Sequence, residues 1–147
     1  MRLTNYTDFG LRALMLLAGE PDRLFTTEEM ASELAISRDH LVKIVRDLAV
    51  AGFVSTLRGV GGGFSLAKPA SEISIGSVVR HLERRQALVE CFRDDGGCCV
   101  LTPKCSLKRR LYEASEAFLT ELDKTTLSQC AVQGTSRKNA VDPVSTT

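Results

Sequence analysis

The sequence of 147 residues is poor in net charge, in histidine and in long apolar runs. Its 19 basic and 18 acidic residues exclude a histone-like polycation, so any nucleic-acid binding must come from local patches. Two histidines, neither in a recognisable catalytic motif, make an enzyme a remote alternative. No apolar run approaches the length of a membrane span, and the first residues lack the features of a signal peptide. We therefore expect a cytoplasmic protein that does not contact membranes.

The remaining composition is that of a globular chain, since 44% of the residues are hydrophobic and 25% are charged. Hydrophobic periodicity predicts helices over 3–18, 26–36, 38–50 and 75–82, and a long final helix from Ser106 to about Leu127. Residues 53–57 and 64–67 have strand character and flank a glycine-rich turn, which predicts a β-hairpin. The sequence therefore predicts a mainly α fold with a small β-hairpin, a winged helix-turn-helix followed by a long C-terminal helix.

The third predicted helix has an apolar face and a polar face, as a DNA-reading helix requires. Such a helix fits the major groove and contacts base edges through its first residues. Five residues there are candidate DNA contacts: Ser37, Arg38, Asp39, His40 and Lys43. Residues 36–70 carry five basic side chains against two acidic ones, a larger excess than that of the whole chain. An ordinary solvated helix face is the alternative, but the hairpin and the local charge favour DNA binding.

The hairpin supplies the remaining candidate DNA contacts. Arg58 lies at its turn, where a wing would enter the minor groove. Gly62 belongs to the glycine run that lets the backbone approach phosphates closely. The run lacks the Gly-Lys-Ser/Thr sequence of a nucleotide-binding loop, which disfavours that interpretation.

Four of the five cysteines lie within fifteen residues, namely Cys91, Cys98, Cys99 and Cys105. Clusters of this kind in a chain without an export signal bind metal or sense redox state more often than they form disulfides. Structural zinc is disfavoured because no Cys-x-x-Cys pair is present. The spacing favours an iron–sulfur cluster completed by a fourth ligand from elsewhere. Bare redox thiols, zinc and inert cysteines stay open as alternatives, as does a small electron carrier without DNA binding.

These motifs together resemble the family of iron–sulfur winged-helix repressors that includes NsrR, IscR and RirA, and its NsrR-like branch most closely. The similarity extends over almost everything before residue 130. The matching runs include Thr7-Asp8, Gly10–Leu14, Ser37-Arg38, Val42–Ile44, Arg58-Gly59, Lys68–Ala70, Thr102-Pro103 and Phe118–Asp123.

The resemblance implies a homodimeric repressor of palindromic operator DNA that carries a cluster sensitive to nitric oxide. It places the cluster on Cys91, Cys99 and Cys105, and Asp8 of the partner's first helix is the implied fourth ligand. A 4Fe–4S cluster is favoured over a 2Fe–2S cluster. The extra thiol of Cys98 departs from the pattern, and the sequence from Cys91 to Gly96 also resembles the iron-responsive RirA branch.

The predicted organisation is a DNA-binding domain over 1–86, an iron–sulfur loop over 87–105, a dimerisation helix over 106–128 and a disordered tail over 129–147. The predicted function is repression that nitric oxide relieves by damaging the cluster. The alternatives are an iron-responsive repressor of the RirA type and a winged-helix regulator that depends on zinc or on thiol redox chemistry.

Overall fold

The computed structural model describes residues 2–134 and contains five α-helices and one antiparallel hairpin within them. The helices are α1 (Asn5–Gly19), α2 (Thr27–Leu34), α3 (Arg38–Val50), α4 (Ile75–Glu83) and α5 (Ser106–Asp123), and the strands are β1 (Val54–Leu57) and β2 (Gly63–Leu66). Short 3₁₀ turns connect them at 70–72, 90–92, 102–104 and 127–130. This confirms the predicted fold class, a winged helix-turn-helix followed by a long helix.

Side-chain caps set where the first helices begin. Thr4 accepts a hydrogen bond from the Thr7 amide, so α1 begins two residues later than its apolar pattern indicates. Thr26 and Glu29 form the capping box that the sequence predicts, with each side chain bonded to the other's backbone amide. Ser37 accepts from the His40 amide at the start of α3. Ala35, with φ of 52°, ends α2 in the left-handed conformation and turns the chain into α3.

One core joins the helices to the hairpin. Its fully buried side chains include Leu14, Leu17, Phe25, Met30, Leu41, Ile44, Leu48, Ile73, Val78, Val79 and Leu127. The buried residues of α3 are Leu41, Ile44, Val45 and Leu48, the stripe that the sequence predicts. Burial of that stripe leaves the opposite face of α3 exposed.

The hairpin is bonded to the segment that precedes α2. Within the hairpin, Val54 pairs with Leu66 and Leu57 with Gly63. Phe64 of β2 also exchanges two backbone hydrogen bonds with Phe25, with N···O distances of 2.9 and 3.1 Å. Phe25 is completely buried and Phe64 nearly so. Backbone hydrogen bonds and apolar packing therefore both hold the wing against the helix-turn-helix.

The last helix ends earlier than its periodicity predicts, at Asp123 and not near Leu127. The Leu127 amide bonds the carbonyl of Ile73 at 2.8 Å, and Thr126 forms a bridge with Ser74. Burial of Leu127 in the core accompanies these bonds and outweighs one more helical turn.

The structure places residues 129–134 against α1, where the sequence predicts the start of a disordered tail. The Val132 amide bonds the Met15 carbonyl at 3.1 Å, and the Gly134 amide bonds the Glu20 carboxylate at 3.0 Å. These backbone bonds cannot be inferred from the polar composition of the segment. The rest of the predicted tail, 135–147, lies outside the described residues.

Candidate functional site

The predicted DNA contacts of α3 lie together on its exposed side. Ser37, Arg38, Asp39, His40 and Lys43 are all exposed. Arg38 is held by Glu28 of α2, with a nitrogen–oxygen distance of 2.6 Å. Because this hydrogen bond favours the charged carboxylate, it lowers the pKa of Glu28. Arg38 would have to exchange Glu28 for a phosphate or a base in order to contact DNA.

The turn of the wing projects beyond the rest of the hairpin. Arg58 and Val60 are exposed there, and the Gly62 amide closes the turn on the Gly59 carbonyl at 3.0 Å. Gly62 itself is half-buried. The structure thus brings Arg58 and Gly62 to the same end of the hairpin, as the sequence predicts.

Asp47 is the site residue that sequence reasoning missed. It belongs to the polar run of α3, but its side chain is only 16% exposed because it turns toward α4. Arg84 donates to its two carboxylate oxygens at 2.8 and 3.1 Å, and His81 Nε2 lies 3.0 Å from Oδ1. The Tyr6 hydroxyl of α1 lies 3.1 Å from Oδ2. Three side chains therefore meet at the carboxylate of Asp47, and we call Tyr6, Asp47, His81 and Arg84 the Asp47 network.

The charge state of Asp47 follows from these contacts. Burial alone would raise the pKa of its carboxyl group, but the hydrogen bonds from Arg84, His81 and Tyr6 outweigh that effect and lower the pKa to about 2. Burial and the neighbouring carboxylate raise the pKa of Tyr6. His81, to which the sequence assigned no role, also packs edge-on against Phe53, with the ring centres 6.0 Å apart. The spacing of His81 and Arg84, one turn apart, is the only sequence signal of this network.

The cysteine segment, residues 84–105, connects the end of α4 to the start of α5. Cys91 lies in the 3₁₀ turn Glu90–Phe92, and Cys105 directly precedes α5. Cys91, Cys99 and Cys105 are half-buried, whereas Cys98 is exposed. Glu90 accepts a hydrogen bond from the Cys98 amide at 3.0 Å and so holds the two glycines of the segment in place.

These residues meet the chemical requirements of an iron–sulfur ligand set in one respect and not in another. The thiols are free. The backbone of Thr102 is hydrogen-bonded to both Cys99 and Cys105. The Thr102 hydroxyl is buried and has no hydrogen-bond partner in the part of the chain that is described. A buried hydroxyl of this kind fits an anionic sulfur acceptor. However, the described residues contain no group of three His, Cys, Asp or Glu side chains placed to hold a metal. The donor chemistry fits, and the three thiols are not gathered in this structure.

Asp8, the implied fourth ligand, lies in the first turn of α1. Its carboxylate is 44% exposed and pairs with Arg12 one turn later, at 2.6 Å. Within one protomer Asp8 forms no metal-holding group with the three thiols among residues 2–134, and the ligand that the resemblance implies is Asp8 of the partner subunit.

Comparison with known proteins agrees with this architecture. The profile of the Rrf2 family, described as an iron-dependent transcriptional regulator, matches residues 3–133. The chain is 46% identical over 129 residues to the HTH-type transcriptional regulator NsrR of Geobacillus kaustophilus, which covers 87% of this chain and 88% of that protein.

Solved structures show the same fold. The oxidized form of Staphylococcus aureus CymR superposes with a TM-score of 0.67 at 26% identity, covering 97% of this chain and all of that one. IscR of T. potens has a TM-score of 0.66 at 22% identity, over 87% of this chain and 84% of that one. Within residues 2–134 no helix combines the length and the apolar character needed to cross a membrane.

Proposed function

Because this chain belongs to the Rrf2 family of transcriptional regulators and is a homologue of NsrR, we propose that it is a homodimeric repressor whose hold on operator DNA responds to nitric oxide through an iron–sulfur cluster. The observation that carries the proposal is the position of the cysteine segment. It begins at Arg84, the residue that binds Asp47 of the reading helix, so the segment that would hold iron is joined directly to the element that would read DNA.

Cys91, Cys99 and Cys105 are the proposed thiolate ligands, with Asp8 of the partner as the fourth. Cys99 is preferred to Cys98 because it is half-buried and lies next to Thr102, whereas Cys98 is exposed. A 4Fe–4S cluster would supply iron with a weakly held coordination position that reacts with nitric oxide. Asp8 would have to leave Arg12 to act as a ligand, which makes the fourth position the weakest of the set.

The chain's own residues would connect the ligands to DNA binding. Bound thiols of Cys91 and Cys105 would hold residues 91–105 together, and Arg84 at the start of the segment would transmit their position to Asp47 on α3. A signal can change DNA affinity only by favouring one of two arrangements of the protein. Release of the thiols would loosen the segment and with it the grip of Arg84 on α3.

The proposed dimer interface is the first half of α5. None of the residues of α5 is fully buried, and Leu107 is 60% exposed while Phe118 and Leu122 pack against the core. Two copies paired through this half would present two α3 helices to successive major grooves of a palindromic site. Arg38 and Lys43 are the expected base or phosphate contacts on each, and Arg58 the wing contact.

The test is anaerobic purification of the dimer and its cysteine variants. We expect the wild type and Cys98→Ser to contain iron, sulfide and a broad visible absorption, and Cys91→Ser and Cys105→Ser to lack all three. Native mass measurement before and after nitric oxide, with footprinting alongside, then tests the coupling. A colourless wild type that binds its operator regardless of nitric oxide would refute the proposal.

An iron-responsive repressor is the second candidate, because the matching family is described as iron-dependent. The two candidates differ in the signal and not in the site. Derepression by an iron chelator but not by nitric oxide would select the iron-responsive function, and the reverse result would select nitric oxide sensing.

A further inference from the structure

A second basic surface continues from the reading helix toward the cysteine segment. It is a groove of about 670 Å³ between the start of α1, the second half of α3 and residues 84–86. Its walls carry Lys43 and Arg46 from α3 and Arg84 and Arg85 from beyond α4, against the single carboxylate of Asp47. We call it the α3–α4 groove.

The positive charge of this groove is uncompensated. Asp47 is already neutralised by Arg84, which binds both of its oxygens. Lys43, Arg46 and Arg85 form no ion pair with any carboxylate in the described part of the chain, and all three are exposed. Three cations that line one groove attract a polyanion and release its counterions on binding.

The position of the groove relative to α3 identifies the polyanion. At a rise of about 1.5 Å per residue, the 13 residues of α3 span about 20 Å, whereas the major groove is only about 12 Å wide. When the first turn of α3 lies among the bases, Arg46 and the residues beside it therefore lie at the edge of the groove, where the phosphates are. Lys43 and Arg46 are three residues apart and so share one side of the helix.

We propose that the α3–α4 groove binds the phosphate backbone that borders the major groove, with Arg46 and Arg85 as contacts independent of sequence. This inference rests on the proposed DNA-binding function and extends its surface beyond the helix-turn-helix and the wing. Arg84 and Arg85 also line a second cavity, of about 480 Å³, together with Gln86, Ala87 and Phe92–Asp95 of the cysteine segment. The proposed Arg85 contact therefore lies at the start of the segment that would hold the cluster.

The experiment measures binding of the full-length protein to a random-sequence DNA duplex at several salt concentrations. Each phosphate contact that is lost reduces the absolute value of the negative slope of log K against log salt by about 0.9. We expect Arg46→Ala and Arg85→Ala each to reduce this absolute value by about 0.9 per bound protomer, and the double variant by about twice that amount. Lys124→Ala is the matched control, because Lys124 is an exposed cation at the end of α5, and its slope should equal that of the wild type.

Two results would overturn the proposal. The first is an unchanged slope in a double variant that has a native circular dichroism spectrum. If the double variant unfolds, the measurement is repeated with Arg85→Gln, which keeps most of the side chain. The second is micromolar binding of pyrophosphate that the same substitutions abolish, which would assign the groove to a small anion. Absence of iron or of a nitric oxide response in the wild type would refute the proposed sensing function and leave the salt slopes unaffected.

Discussion

At the scale of single residues, Asp47 does most to connect the parts of the molecule. It lies on α3, yet its hydrogen-bond partners come from α1, from α4 and from the first residue of the cysteine segment. Three donors around one carboxylate hold it charged even though it is largely buried. The packing of α3 against α1 and α4 therefore depends on a charge that Arg84 neutralises within the protein.

Replacing Asp47 with asparagine should lower the free energy of unfolding at pH 7 by about 1–2 kcal/mol, because the charged form is stabilised in the folded state. The folded pKa of about 2 lies below the ordinary value of 3.8, so this stabilisation is complete above about pH 4 and disappears as the pH falls toward 2. Urea denaturation of both proteins between pH 7 and pH 2 should show the difference shrink over that range.

Asp39→Asn is the control for this prediction, since Asp39 is an exposed carboxylate on the same helix. Its effect should stay within about 0.5 kcal/mol. Equal stability of the wild type and Asp47→Asn at pH 7 would mean that the network contributes nothing to folding.

Contacts between residues that are close in the sequence could be predicted from residue types, whereas contacts between distant residues could not. The capping box joins Thr26 and Glu29, three positions apart, and could be predicted from their types alone. Asp47 and His81 are 34 residues apart, and nothing near either residue indicates the other. The exposed faces of α3 and the wing were predicted because their periodicity is local, whereas the inward turn of Asp47 depends on where α4 packs.

At the scale of elements, the cysteine segment is shaped by two neighbouring glycines with different surroundings. Gly96 and Gly97 both have positive φ, of 77° and 61°. A Cβ at Gly97 would lie 2.5 Å from the Glu90 carbonyl oxygen, whereas a Cβ at Gly96 would meet nothing within 4 Å. The backbone of the segment thus approaches Glu90 closely at one of the two positions only.

Gly97→Ala should therefore break the contact between Glu90 and the Cys98 amide, while Gly96→Ala should keep it and cost only the left-handed backbone strain of about 1–2 kcal/mol. Hydrogen exchange of the peptide around Cys98 measures the difference. Protection should be lost in Gly97→Ala and retained in Gly96→Ala, and equal exchange in both variants would contradict the close approach.

The ends of the elements were harder to predict than their existence. The apolar pattern of α5 continues to Leu127, but the carbonyl of Ile73 captures the Leu127 amide and the helix stops four residues earlier. The competing hydrogen bond comes from a segment 54 residues away in the chain. The sequence shows that Leu127 is apolar, but it does not show whether Leu127 is buried by extending α5 or by bonding to Ile73.

At the scale of the whole molecule, α5 is half anchored and half free. Phe118, Leu119 and Leu122 pack against the core, and Arg80 of α4 binds both carboxylate oxygens of Asp123 at 2.7 and 2.8 Å. Leu107 and Tyr112, near the other end, are more than half exposed. An exposed apolar helix end of this kind favours association with a second copy.

Leu107→Ser should consequently convert the proposed dimer into a monomer of 16.0 kDa without unfolding it, since Leu107 is not part of the core. Leu122→Ser should instead lower the melting temperature, because Leu122 packs against the core of its own protomer. Light scattering and thermal denaturation of both variants make the comparison. A Leu107→Ser protein that stays dimeric would place the interface elsewhere.

The pair of backbone bonds between Phe25 and Phe64 has a consequence for the length of the binding site. Because these bonds tie the hairpin to the chain just before α2, they restrict movement of the wing relative to the helix-turn-helix. In the proposed palindromic operator, each half-site should then have a fixed number of base pairs between the positions that Arg58 and α3 contact. An insertion of one base pair there should abolish recognition, and any tolerance to insertion should be confined to the centre of the palindrome.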